Sequence, residues 1–397
     1  MRLGKITLIA ATAATFLLAV LSVRRLAPMA VSAFQGPPPD LRGLELCTPL
    51  ESVQDRLRCF RTILEPQLEA RGPRAVLQDL DRLQGEHADF RSACHDMAHV
   101  LGRHWIARGG SVAQGFAEGS NVCHSGFYHG MVERAIRGSA QDPEVEMTHV
   151  SPEELRTTVP TLCTSDALGT PSGNFRFQCL HGLGHAVVFS LGYRLPVALE
   201  LCDTLPDAWS RESCYGGAVM ENITGGERDR RMLRPGDAHY PCSVLAPVYR
   251  AACYGMQTSW MLEDGLSWDA IVAACRVAGA HRLACFQSLG RDVSPLVRQG
   301  DTSWGVGVCE ARRADERSAC IRGAVYALAD HTWDGRYAYP FCAAFSRRFQ
   351  DECFREAHNH LISALEQPAD VLRQECASLT QGRERCEALL PGPGGSS

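Results

Sequence analysis

Eighteen cysteines constrain this 397-residue chain more than any other feature, because in sequence order they fall into nine consecutive pairs. The pairs are Cys47 with Cys59, Cys94 with Cys123, Cys163 with Cys179, Cys202 with Cys214, Cys242 with Cys253, Cys275 with Cys285, Cys309 with Cys320, Cys342 with Cys353, and Cys376 with Cys386. Seven of the nine are 10 to 12 residues apart, and the second cysteine of each pair, counted together with Cys94, recurs about every 36 residues. That period is the size of one helical hairpin. A cysteine one or two turns from the hairpin loop on each arm meets its partner across antiparallel helices at a distance a disulfide can bridge. The stretch from Pro196 to Asn222 shows the layout: helical spacing up to Cys202, turn residues from Asp203 to Asp207 including Pro206, then helical spacing again through Cys214.

Alternating runs rich in Val, Ile and Thr are sparse, so the chain reads as all-α. The predicted architecture is an α-solenoid of disulfide-stapled helical hairpins over residues 44–390, with a disordered tail at 391–397. It is similar in layout to tetratricopeptide-type arrays, but the consensus residues are missing at the required offsets and no family assignment follows. Residues 138–174 break the period and are rich in Thr, Pro, Ser and Asp, which predicts an inserted loop with a short helix around Pro152 to Thr157. The irregular pairs, Cys94 with Cys123 and Cys163 with Cys179, flank or fall in this region and are the least constrained by the repeat.

An even and abundant cysteine count indicates an oxidising compartment, and the N-terminus agrees. Ile6 to Val23 is an uncharged apolar run, preceded by Arg2 and Lys5 and followed by Arg24 and Arg25. It predicts a transmembrane signal anchor over residues 1–25, with a Gly/Pro-containing spacer over 26–43. A cleavable signal peptide is the competing reading, with Val31-Ser32-Ala33 as the small-residue cleavage site. Because arginines flank the run on both sides, the disulfides decide orientation: the large domain lies on the periplasmic or extracellular side. Lys and Arg total 40 against 45 Asp and Glu, for a net charge of −5 without long runs of one sign, which argues against nucleic acid as a partner.

Candidate chemistry is confined to one stretch. Eight of the 14 histidines lie between His95 and His185. Six of these occur in three related strings that begin at Cys94, Cys123 and Cys179, which supply His95 and His99, His124 and His129, and His181 and His185. The first and third pairs are four residues apart, so each places both rings on one helix face. His124 and His129 are five apart and diverge by about 140° on an ideal helix. Later repeats put Tyr215, Tyr254 and Ile321 at comparable offsets, directly after Cys214, Cys253 and Cys320, so the hairpin frame does not require histidine there.

Rows of imidazoles on neighbouring helices suit a transition metal, with zinc, copper and iron all acceptable and the six rings as candidate ligands. Glu133 and Asp96 are candidates for proton transfer beside it. The absence of CxxCH excludes covalent c-type haem and leaves non-covalent bis-His haem open. The competing reading is a metal-free scaffold whose concave face binds a protein, peptide or glycan, with the histidines packed at helix interfaces. Gly126, Gly130, Gly182 and Gly184 within these predicted helices call for either close helix approach or room for a ligand. His358 and His360 read as surface residues, and Asn222-Ile223-Thr224 is a glycosylation sequon where the host has the machinery.

Overall fold

The computed structural model describes residues 41–137, 150–169, 173–225 and 228–391. The apolar run at Ile6 to Val23 lies outside these residues, as does the tail, and no described helix is long and apolar enough to cross a membrane. All regular structure among the described residues is helical, and all nine consecutive cysteine pairs are disulfides, with Cα–Cα distances of 5.2 to 5.7 Å.

The chain opens with α1 (Leu44–Cys47), stapled by Cys47 to Cys59 of the long α2 (Val53–Glu86), which kinks at Gly72 before Pro73. Next come α3 (Ala88–Ala107), α4 (Val112–Glu118) and α5 (Val122–Arg137). After residues 138–149, which lie outside the described set, follow α6 (Pro152–Leu162), α7 (Ser165–Leu168) and α8 (Gly173–Ser190). The helix expected at Pro152 to Thr157 thus runs on to Leu162. Ser151 caps it, accepting from the Glu154 backbone while Glu154 reaches back, with Pro152 at the first turn.

Stapled hairpins then recur. Helix α9 (Leu195–Cys202) ends at the predicted turn, and Asp207 caps α10 (Ala208–Thr224) through a 2.8 Å bond from the Ser210 backbone. The chain continues through α11 (Pro247–Tyr254), α12 (Gln257–Glu263), α13 (Trp268–Arg276), α14 (Arg282–Arg298), α15 (Thr302–Glu310), α16 (Ala314–Thr332), α17 (Ala338–Ala343), α18 (Arg347–Ser363), α19 (Ala369–Ala377) and α20 (Arg383–Ala388).

Each staple in this half ties one arm of a hairpin to the next. Cys202 of α9 bonds Cys214 of α10, Cys275 of α13 bonds Cys285 of α14, and Cys309 of α15 bonds Cys320 of α16. Cys342 of α17 bonds Cys353 of α18, and Cys376 of α19 bonds Cys386 of α20. One hairpin departs from the expected form: Cys242 lies in the turns before α11 rather than on a helix, and it bonds Cys253 within α11. All six second cysteines, Cys214, Cys253, Cys285, Cys320, Cys353 and Cys386, are fully buried, so these bonds are structural staples and offer no thiolate to a metal.

The longer arms do not form an open row. Helix α5 packs on α8, α8 on α10, α10 on α12, α12 on α14 and α14 on α16, and α16 returns to α5. At that closure Asn121 donates to the His331 carbonyl, and Trp333 stacks over Tyr128. The result is a closed ring of six helices, with α3 packed against α5 and α18 against α16.

Glycines set three of these crossings. A Cβ on Gly130 of α5 would lie 2.2 Å from the His99 carbonyl oxygen of α3, and one on Gly102 would lie 2.0 Å from the Phe127 oxygen. The reciprocal pair at α8/α10 is Gly184 and Gly217, and at α14/α16 it is Gly290 and Gly323, each at 1.8 to 2.1 Å from a facing carbonyl. Close helix approach therefore accounts for the glycines of the histidine strings, Gly126, Gly130, Gly182 and Gly184.

Candidate metal centre

Close approach brings five of the six predicted imidazoles together. His95 and His99 project from α3, His129 from α5, and His181 and His185 from α8. Ring centres are 4.4 Å apart for His95/His99 and 5.0 Å for His181/His185, and His129 lies 4.8 to 5.7 Å from all four. Donor nitrogens of His95, His99 and His129 all fall within 4.8 Å of one another.

Each outer ring is held from behind. His95 Nδ1 donates to the Cys123 carbonyl at 2.8 Å, and His181 is bonded to the Ser213 backbone carbonyl. His99 Nδ1 meets Glu133 at 3.0 Å, and Arg103 Nε donates to the other Glu133 oxygen at 2.6 Å. His185 Nδ1 meets Glu221 at 2.9 Å, and the Tyr193 hydroxyl donates to that carboxylate at 2.6 Å. A carbonyl or carboxylate acceptor fixes the proton on the bonded nitrogen, so the other nitrogen presents a lone pair.

For His95 and His99 those free nitrogens are the two Nε2 atoms, 3.0 Å apart. Two lone pairs at that distance repel unless a proton or a cation stands between them. Burial, reinforced by His99, pushes His95 down to about 3, so a proton is a poor occupant near neutrality. The spacing falls within the roughly 3 to 4 Å expected of imidazole nitrogens that share one ion about 2.0 to 2.2 Å from each.

The backbone contributes to this arrangement. Cys123, His124 and Ser125 all have left-handed φ values, 53° to 60°, at the start of α5. Such residues are strained by about 1 to 2 kcal/mol each. The unusual turn presents the Cys123 carbonyl to His95, and the ring of His124 makes its contacts elsewhere. Its ring centre is 4.6 Å from that of His331, and its Nε2 is 3.4 Å from Arg298. The five-residue spacing to His129 is thus resolved by one ring joining the cluster and the other leaving it.

The carboxylates also differ from expectation. Burial raises the Glu133 carboxyl, but Arg103 and His99 outweigh it and hold the group well below the usual carboxylate range. With both oxygens engaged, Glu133 orients His99 rather than serving as a free base. Asp96, one residue round the helix from His95, is raised by burial and does not line the cavity beside the rings. Sequence reading missed Glu221 and Tyr193. The four-residue spacing of His129 and Glu133, matching that of His95, His99 and Arg103, is the available signal for a shared face; Glu221 carries none, because its partner His185 is on another helix.

Two further expectations change. His358 is 3% exposed and packs 3.7 to 3.8 Å from the Cys376–Cys386 sulfurs, and His360 bonds Asp330 at 2.6 Å, because both face inward from α18 toward neighbouring helices. Asn222 is fully buried and exchanges hydrogen bonds with the Met232 backbone at 2.8 and 3.2 Å, so the sequon is inaccessible in the folded protein.

His95, His129 and His181 line a cavity of about 530 Å³ inside the ring. Phe177, Met220, Met256 and Tyr326 give it a mainly apolar wall, with Arg291 and Arg298 from α14 on the same lining. No protein-family model, curated protein or solved structure matches this chain.

The buried rings make stability pH-dependent. Burial lowers His95, His129 and His181 below their ordinary value, so between that value and the folded one the unfolded chain binds more protons. Stability is complete above about pH 6.5 and falls as pH drops, by about 1.4 kcal/mol per unit for each such histidine. His95 alone is expected to remove about 2 kcal/mol between pH 7 and pH 5. Urea unfolding of chelator-stripped protein at both pH values checks this; an unchanged midpoint would contradict the neutral, buried state of these rings.

Proposed function

We propose that this protein is an extracytoplasmic metalloprotein in which the histidine cluster binds a transition metal at the wall of a half-open cavity, as the centre of a metal-dependent enzyme. The observation that carries the reading is the pairing of lone-pair nitrogens at 3.0 Å with carboxylate or carbonyl acceptors behind the rings. This is the outer shell that orients histidines for a metal. Imidazole donors suit zinc, copper and iron. Non-covalent haem fits poorly, since ring centres 4.4 to 5.7 Å apart leave no room for a porphyrin between them.

The repeat reading extends to a solenoid whose stapled hairpins bend until the array meets itself. That closure favours a small molecule inside the ring over a protein or glycan on an extended concave face, and the cavity has the size of a small-molecule site. Nine disulfides support an oxidising, extracytoplasmic location, and Ile6 to Val23 would anchor the domain to a membrane as its signal anchor. Elemental analysis of protein purified from its exporting host without added metal tests the function. At least one equivalent of zinc, copper or iron is expected, falling below a tenth in a His99→Asn, His129→Asn double variant that keeps its helical circular dichroism. Metal-free wild-type protein that stays metal-free on incubation with each ion would overturn it.

A further inference from the structure

The cluster is built from two matching halves. In each, two histidines four residues apart share one helix; the first bonds a backbone carbonyl on the helix packed against it and the second bonds a glutamate further along that partner helix. On α3 the set is His95 to the Cys123 carbonyl and His99 to Glu133. On α8 it is His181 to the Ser213 carbonyl and His185 to Glu221. The accepting residues lie on or beside α5 and α10 respectively, and reciprocal glycines hold each pair of helices together.

His129 stands between the halves. Its ring centre is 5.5 and 5.7 Å from His95 and His99, and 5.6 and 4.8 Å from His181 and His185. It is 3% exposed, and neither of its ring nitrogens has a hydrogen-bond partner. His185 Nε2 is likewise buried without one. A neutral imidazole has one N–H donor and one lone pair to satisfy. One ion among His95, His99 and His129 would satisfy one nitrogen of His129 and leave His185 Nε2 as it is.

We propose that the cluster holds two transition-metal ions, one on His95 and His99 and one on His181 and His185, with His129 giving one ring nitrogen to each. The inference rests on the metal reading above and adds the nuclearity of the site and a bridging role for His129. When the second ion binds, the His129 ring N–H proton is released to solvent, and its nitrogen lone pair forms the new metal bond. The halves are unequal: donor atoms on the His95 side are already gathered within 4.8 Å, whereas the His185 ring stacks on His129 with an interplanar angle of 19°. The ion on the His181 side is therefore the weaker held.

Titration of chelator-stripped full-length protein with Co²⁺, followed by its visible absorption and by metal analysis after desalting, tests the proposal. The expected result is two ions per chain in two steps, with His185→Asn removing the weaker step and His99→Asn the tighter. A Cu²⁺-loaded sample should show a spin-coupled pair by electron paramagnetic resonance. A single ion at saturation, unaffected by His185→Asn, would overturn the second site and leave the metal reading standing. Two ions with uncoupled spectra would overturn the bridge. No binding in the wild type would overturn the metal reading itself.

Discussion

Replacing Glu133 by glutamine is expected to destabilise the protein by about 3 kcal/mol and to weaken metal binding by about 10- to 100-fold. The carboxylate side chain is only 4% exposed and serves two partners, His99 at 3.0 Å and Arg103 at 2.6 Å. Glutamine leaves the Arg103 charge uncompensated, and its single acceptor oxygen replaces two, so the amide cannot serve His99 and Arg103 as the two carboxylate oxygens do and the proton on His99 Nδ1 is held less firmly. Arg103 keeps 27% of its side chain exposed, which places the stability cost at the low end of what breaking a buried pair produces. Chemical denaturation of the chelator-stripped variant isolates the first effect, and competition against a chromophoric chelator isolates the second. Unchanged metal affinity would show that Glu133 does not orient a ligand.

Gly130→Ala is expected to have a larger effect on stability, about 3 kcal/mol or more, because the added methyl carbon would stand 2.2 Å from the His99 carbonyl oxygen. Backbone cannot yield there without parting α3 from α5, and that separation also moves His129 away from His95 and His99. Gly323→Ala at the equivalent α14/α16 crossing meets the Gln287 carbonyl at 1.8 Å, between two helices that carry none of the five clustered rings. Thermal unfolding should show both variants destabilised, and metal content should fall in the folded fraction of Gly130→Ala while remaining normal in that of Gly323→Ala. Equal metal content in the two would separate helix approach from ligand geometry and contradict the account of the site.

The staples and the helical class were legible because a repeat makes local spacing informative: a separation of 10 to 12 residues across a turn nearly dictates pairing within one hairpin, as for Cys275 with Cys285 and Cys342 with Cys353. Even the irregular pairs, Cys94 with Cys123 and Cys163 with Cys179, follow the same neighbour order. The closure of the ring was not legible. It depends on how far each crossing rotates, and glycines such as Gly184 and Gly290 act through carbonyls on other helices rather than through their own neighbours in sequence. In the site, His95/His99 and His181/His185 could be read from i,i+4 spacing, a property of a single helix. The five-residue spacing of His124 and His129 already required a distortion or the loss of one ring; which ring leaves could not be read, because it follows from three left-handed residues, Cys123 to Ser125, that no local preference announces. Glu221 was hidden for a similar reason: its partner His185 lies 36 positions away.

X-ray absorption at the metal edge of the natively purified protein tests the central claim most directly. The account predicts a first shell of at least two imidazole nitrogens per ion at about 2.0 to 2.1 Å, with the outer-ring scattering that marks histidine, reduced in His99→Asn and in His185→Asn protein. A first shell of oxygen or sulfur alone, or histidine scattering unchanged in both variants, would contradict it.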